Sequence, residues 1–199
     1  MSKTKVFING SEGTTGLRII ERFKDRDDVT IIPIDSEIRK DPKTVKEKIN
    51  ESDITFFCLP DAASVEALTY VENENVKIID ASTAHRTLPG WNYGFPELSK
   101  AHREGIIGGK RVAVPGCHAS GFISVVYPLV AGGFLPKEAL LTCTSISGYS
   151  GAGKAAIAVY ESDDRPAEFD SPRQYALGQK HKHLPEMQAV SGLTYAPMF

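Results

Sequence analysis

Three groups of residues in this 199-residue chain have chemistry within reach: a thiol, a pair of imidazoles with a carboxylate, and a glycine-spaced turn. The thiol is Cys117. It follows the β-forming run Val112-Ala113-Val114, which stops at Pro115-Gly116, and it precedes Ala119-Ser120-Gly121-Phe122, which reads as the start of a helix. A thiol at the carboxyl end of a strand and near a helix N-terminus meets unpaired N–H groups and the positive end of the helix dipole. Both favour the nucleophilic thiolate. The competing reading is a small buried hydrophobe, the ordinary place of a lone cysteine. The imidazoles lie in Gln179-Lys180-His181-Lys182-His183-Leu184-Pro185-Glu186. On a strand, side chains at i and i+2 share a face, so His181 and His183 have a spacing that suits a metal. No third soft ligand lies nearby, and no metal is expected. An imidazole serving as acid/base partner to the thiolate, oriented by Glu186, is the better fit. Pro185 argues against a regular helix here, so the relation of His183 to Glu186 is expected to be a turn.

The glycine-spaced turn is Gly10-Ser11-Glu12-Gly13-Thr14-Thr15-Gly16. Glycines after a first strand allow a tight turn and close approach of a pyrophosphate, whose charge is met by helix N-terminal N–H groups. The spacing is GxxGxxG rather than GxGxxG, so the strand-turn-helix context carries the assignment. Beyond the second expected strand stand Asp35, Ser36, Arg39 and Lys40. Asp35 would accept the ribose hydroxyls of NAD, whereas Ser36, Arg39 and Lys40 would hold a 2′-phosphate. A charged surface turn is the plain alternative. Asp80-Ala81-Ser82-Thr83-Ala84-His85-Arg86 puts a hydroxyl and an arginine after the fourth strand, where open α/β sheets bind ligands. Arg86 there has the fork geometry to grip a phosphate or carboxylate, or is an ordinary surface arginine.

Strands expected at 5–10, 29–34, 54–59 and 76–80, alternating with helices at 15–24, 41–50 and 62–73, must position these groups. That rhythm predicts a parallel sheet with right-handed crossovers, and the near-continuous apolar strands predict cover on both faces. Residues 81–97 read as a long irregular segment, more often a functional loop than filler. A strand at 139–145, a Gly/Ser loop at 148–153 and an acidic surface stretch at 161–172 follow. The apolar, aromatic ending Leu193-Thr194-Tyr195-Ala196-Pro197-Met198-Phe199 is expected to be a cut inside a second domain. Hydrophobic residues at 41%, charged residues at 24% and a net charge of −2 describe an ordinary globular chain. Scattered Lys and Arg give no nucleic-acid or membrane surface. No apolar run approaches the ~20 residues of a membrane span. The first strand begins too early for a signal peptide, and three cysteines make no disulfide framework, so a reduced, cytoplasmic location is expected.

These motifs occur together and in order in a known family. The chain resembles the N-acetyl-γ-glutamyl-phosphate reductases in their shorter type 2 form, and more distantly the aspartate-semialdehyde dehydrogenases. The resemblance rests on Asn9 to Gly16, Phe57-Cys58-Leu59-Pro60-Asp61, Asp80 to Arg86, and Tyr93-Gly94-Phe95-Pro96-Glu97-Leu98. It continues through Pro115-Gly116-Cys117, Ser147 to Lys154, and His181 to Glu186. It implies an NADP-binding Rossmann domain over residues 1–115 and an α+β catalytic and dimerisation domain over 116–199. It implies NADPH-dependent reduction of N-acetyl-glutamyl 5-phosphate to the semialdehyde, with a small acyl phosphate as substrate and a homodimer or homotetramer as assembly. By the same resemblance Cys117 is the nucleophile that forms a thioester. His183 is the acid/base because Glu186 follows it at the family's spacing, with His181 as the alternative. Gly10, Ser11, Glu12, Gly13, Thr14, Thr15, Gly16, Ser36, Arg39, Leu59, Pro60, Ser82, Ser150 and Gly151 face the dinucleotide. Arg86, Ser147 and Glu186 face the substrate.

The family's chains continue past this length, so the last sheet strands and a returning C-terminal helix are expected to be missing. The close alternatives are a semialdehyde dehydrogenase acting on aspartyl phosphate or on a carrier-bound aminoadipyl phosphate. A truncated nucleotide-binding module without activity is the alternative from another class.

Overall fold

Apolar runs separated by turn residues become one parallel sheet in a computed structural model that describes residues 3–199. The strands are β1 Thr4–Asn9, β2 Val29–Ile32, β3 Ile54–Phe57, β4 Lys77–Asp80, β5 Asn92–Tyr93 and β6 Arg111–Ala113. They lie in the order β2-β1-β3-β4-β6-β5, and every pairing is parallel. Helices α1 Thr14–Phe23, α2 Pro42–Glu51, α3 Asp61–Leu68 and α4 Lys100–Gly108 connect them. Phe7, Phe57, Ile78 and Val76 are completely buried, and α2 adds Val45 and Ile49 from one helical face. The start of α2 follows from its sequence: Asp41 accepts the Thr44 N–H at 2.8 Å, and Pro42 takes a first-turn position that needs no N–H partner.

This strand order fixes where a ligand belongs. β1 has β2 on one side and β3 on the other, so the chain reverses its direction of travel across the sheet between β1 and β3. At such a switch point the loops leaving the strand carboxyl ends diverge and open a crevice. The loop after β1 is the glycine turn, and the loop after β3 is Cys58-Leu59-Pro60.

The chain divides into two units, Met1–Gly116 and Cys117–Phe199. The second contains α5 Cys117–Ala131, a 3-10 turn at Tyr149–Ala152, α6 Lys154–Tyr160, a 3-10 turn at Ala167–Asp170 and α7 Leu184–Ser191. Among the described residues no helix is long and apolar enough to cross a membrane.

Four expectations about elements are corrected. Residues 81–97 are not wholly irregular, because Asn92 and Tyr93 pair with Val112 and Ala113 as an edge strand. Residues 139–145 form no strand. Only Thr142 pairs, with Met198, and Leu140 and Ile146 are 84% and 99% exposed. Extended backbone becomes a strand where a neighbour satisfies its N–H and C=O groups, and here the described residues supply that only around Met198. The helix expected at 62–73 stops at Leu68. Pro185 does not prevent a helix: it sits in the first turn of α7, where a missing N–H costs nothing. His181 and His183 therefore stand in the turn entering α7 rather than on a strand.

Candidate active site

In the first unit the glycine turn is held by steric necessity. Gly10 has φ +90°, and a Cβ there would stand 2.3 Å from the Cys58 carbonyl oxygen. A Cβ on Gly16 would stand 2.3 Å from the Gly10 carbonyl oxygen. Only glycine allows the β1 loop to fold against the β3 loop and α1 to start beneath it. The result is a cradle at the switch point, at the N-terminus of α1, where backbone approaches without side chains in the way. That shape and polarity fit a dinucleotide pyrophosphate. Leu59 follows β3 directly, and Pro60 caps α3 in the adjoining loop. Arg39 reaches Glu12 of the glycine turn at 2.9 Å, which puts a guanidinium beside the cradle. Asp35 folds back on its own turn, its Oδ1 accepting the Glu37 N–H at 2.9 Å, and Ser36 follows it in an exposed turn.

The loop after β4 is built around buried Asp80. Its carboxylate accepts the Ser64 hydroxyl at 2.8 Å, the Ser82 N–H at 3.0 Å and hydroxyl at 2.6 Å, and His85 Nδ1 at 2.5 Å. Ser82 is thus committed to the loop's own structure. The Arg86 guanidinium donates to the Ala81 carbonyl at 3.2 Å, which keeps its head close to the carboxyl end of β4.

In the second unit Cys117 opens α5 and is exposed, whereas Cys58 and Cys143 are partly buried. Burial, reinforced by the Asp80 charge, pushes the Cys58 thiol up to about 12, and burial also raises Cys143. Both suppress the thiolate at neutral pH. Iodoacetamide is therefore expected to alkylate Cys117 well before Cys58 or Cys143. Peptide mapping after brief labelling checks this, and equal labelling of all three in the folded protein would refute it.

Around the start of α5 the structure brings together aromatic and imidazole rings. His181 lies 4.7 Å from His183 and 5.5 Å from His118, centre to centre, and His118 lies 5.7 Å from His183. The His183 N–H donates to His181 Nδ1 at 3.2 Å. Burial lowers the His181 pKa and the neighbouring His118 adds to this, with the Glu186 charge opposing. Glu186, in the first turn of α7, is only 1% exposed. Ser147, Ser150 and Gly151 lie in or beside the exposed 3-10 turn that precedes α6.

Sequence reasoning passed over His118, Ser145 and Tyr175. His118 Nδ1 is 2.6 Å from the Ser145 hydroxyl, and its Nε2 shares a hydrogen bond with the Tyr175 hydroxyl. Burial lowers the His118 pKa and, with the Cys117 charge, raises that of Tyr175. The clue lay in α5 itself: His118 is the polar member of a buried face otherwise made of Ala119, Phe122, Ile123 and Val126. A polar residue on such a face needs partners.

Comparison with known proteins agrees with this division. Residues 5–106 match the family described as semialdehyde dehydrogenase, NAD binding domain, and residues 117–197 match the semialdehyde dehydrogenase dimerisation domain. The chain is 46% identical over 200 residues to an N-acetyl-gamma-glutamyl-phosphate reductase of Burkholderia lata, and it spans 63% of that protein's length. It is 44% identical to N-acetyl-gamma-glutamyl-phosphate reductase 2 of Pseudomonas putida, covering 98% of this chain and 62% of that one. Among solved structures, aspartate semialdehyde dehydrogenase of Francisella tularensis aligns with a TM-score of 0.64 at 14% identity, over 98% of this chain and 70% of that one. Aspartate semialdehyde dehydrogenase II of Vibrio cholerae aligns with a TM-score of 0.62 at 16% identity, over 100% and 68%. These two show a shared fold. The dinucleotide-domain match runs over more than half of the sequence and contains the glycine cradle, and by that measure the chain belongs to the semialdehyde dehydrogenase family.

Proposed function

We propose that this chain carries the machinery of an N-acetyl-glutamyl 5-phosphate reductase, which forms N-acetyl-glutamate 5-semialdehyde and phosphate with NADPH as reductant, a step of arginine biosynthesis. The observation that carries the reading is an exposed thiol at the start of α5 in a unit that also gathers His181 and His183. The reductase relatives, 43–46% identical over the whole chain, supply the substrate class. Residues 1–115 hold the dinucleotide in this reading and residues 116–199 carry the acyl chemistry.

The Cys117 thiolate attacks the acyl carbon, a C–S bond forms, the bond between that carbon and the bridging oxygen breaks, and phosphate leaves with that oxygen. The thioester is the form that accepts reduction, because a thiolate leaves a tetrahedral carbon far more readily than an oxide would. When bound, the dinucleotide supplies the hydride. Backbone N–H groups in the first turn of α5 steady the oxyanion before and after that event, an effect worth ~3 kcal/mol per donor. His183, carrying the proton that Cys117 gave up on forming its thiolate, protonates the hemithioacetal oxyanion and then takes that proton back. The C–S bond then breaks, releasing aldehyde and restoring the thiolate. Arg86 and Ser147 bind the substrate's phosphate and polar groups. The dimerisation-domain match supports a homo-oligomer, and an exposed free thiol as nucleophile suits the reducing cytoplasm.

The test runs the reaction backwards, with phosphate as co-substrate and a panel of semialdehydes. N-acetyl-glutamate semialdehyde is expected to exceed aspartate semialdehyde in kcat/KM by about a hundredfold or more. An equal or better rate with aspartate semialdehyde would overturn the substrate assignment.

NADPH is the expected cofactor because Arg39 stands at the cradle while Asp35 is turned into its own loop. The half-exposed Arg39–Glu12 pair is worth at most ~1 kcal/mol, so a 2′-phosphate exchanges readily for the carboxylate. Arg39→Ala is expected to raise KM for NADPH about tenfold and leave NADH nearly unchanged. Tighter binding of NADH than NADPH by the wild type would refute this preference.

A further inference from the structure

His85 is buried to 2% exposure, and neither the dinucleotide cradle nor the thiol chemistry uses it. Its ring is fixed from two directions. Nδ1 donates to Asp80 at 2.5 Å, and one face stacks on Trp91 at 4.2 Å between centres with 14° between planes. The same Asp80 carboxylate receives three donors from Ser64 and Ser82. Thr83 donates its N–H and hydroxyl to Asp61 at 2.9 and 2.8 Å, and the Ala84 N–H donates to Ser82 Oγ at 3.2 Å. Each residue from Ser82 to His85 is thus tied to the frame, and His85 is the last tie before Arg86.

A ring acting only as filler would not need a buried carboxylate. Taking a carboxylate and an imidazole out of water costs free energy that an apolar pair of equal volume would not. What the polar pair adds is direction: one N–H aimed at one oxygen, with Trp91 fixing the ring plane. We infer that His85 is a positioning residue for Arg86, setting the reach of its guanidinium toward the phosphate of the acyl-phosphate substrate through the Asp80–His85–Trp91 stack. This rests on the reading of Arg86 as the phosphate-binding group.

The test uses two substitutions that separate filling from direction. His85→Phe keeps a flat ring against Trp91 and loses the donor; His85→Asn loses the ring and keeps an N–H donor. His85→Phe is expected to raise KM for inorganic phosphate in the reverse reaction about tenfold, a cost typical of small misplacements. NADPH affinity stays unchanged and kcat stays within about threefold. His85→Asn recovers most of the loss. In an Arg86→Ala background, His85→Phe adds no further loss, because the group it positions is gone.

Phosphate KM within about twofold of wild type in His85→Phe, or an equal penalty with and without Arg86, would overturn the inference while leaving the role of Arg86 intact. An unchanged phosphate KM in Arg86→Ala alone would overturn the reading of Arg86, and this inference with it. Should His85→Phe fail to bind NADPH, Trp91→Leu, which frees the same ring from its other side, is held to the same criteria.

Discussion

Cys117→Ser is expected to lower turnover by on the order of 10⁴-fold while NADPH affinity stays within about twofold of wild type. The size follows from chemistry. A serine hydroxyl is not ionised at neutral pH, the oxygen ester it would form is a poorer acceptor than a thioester, and an alkoxide is a poorer leaving group than a thiolate. Neither other thiol can substitute: burial pushes Cys58 up to about 12 and raises Cys143, so each lacks the reactive form. The unchanged cofactor affinity follows from the division of the chain, since the glycine cradle belongs to Met1–Gly116 and Cys117 begins the other unit. Steady-state rates and fluorescence titration with NADPH measure the two quantities. Mass spectrometry after mixing with acyl phosphate, without reductant, should find an acyl adduct on Cys117 in the wild type and none in the variant. Retention of more than about one hundredth of the activity, or an adduct elsewhere, would remove Cys117 from the nucleophile's role.

What the sequence made legible is what local rules enforce. The glycine turn could be placed because each constraint on it lies within one strand-turn-helix unit, and the positive φ at Gly10 with the close approach at Gly16 leaves no other residue type. The strands β1 to β4 were legible because their apolar runs stand out against the turns: β1 is buried from Val6 to Asn9, and even the edge strand β2, with Thr30 exposed, keeps apolar residues at its other three positions. The two-residue β5 was not, since Asn92-Tyr93 has no strand pattern of its own and exists only because β6 offers it an edge. Residues 139–145 failed in the opposite sense: the β-forming composition is there, but among the described residues backbone partners for a strand are not, beyond the contact with Met198. The partners of His118 stand 27 residues away at Ser145 and 57 away at Tyr175, and no periodicity in the chain links such positions. Asp80 shows the same limit at shorter range. Its place after β4 was readable, but its role as the hub of the Ser82–His85 loop depends on Ser64 from α3.

His183→Asn is expected to lower kcat at least ~100-fold with little change in KM, and His181→Asn to raise KM about tenfold with a smaller effect on kcat. The structure fixes the His181 ring through one of its nitrogens. His181 accepts the His183 N–H at Nδ1, so the neutral ring carries its proton at Nε2 and presents a donor. Burial, with His118 beside it and the Glu186 charge opposing, lowers the His181 pKa, which favours this neutral donor form. Acid would have to place a proton on Nδ1, where it would displace the His183 N–H. A fixed neutral donor suits an oxygen of the bound acyl group, and its loss weakens binding by about one hydrogen bond. Moving a proton off the hemithioacetal needs a nitrogen that alternates between states, and the proposed mechanism gives that task to His183 at the entrance to α7. Single-turnover rates of acyl transfer and of aldehyde release separate the steps: His183→Asn should slow release most. A kcat loss confined to His181→Asn would move the acid/base role to His181. Equal kcat losses in both variants, not worsened in the double variant, would assign it to the pair acting as one unit.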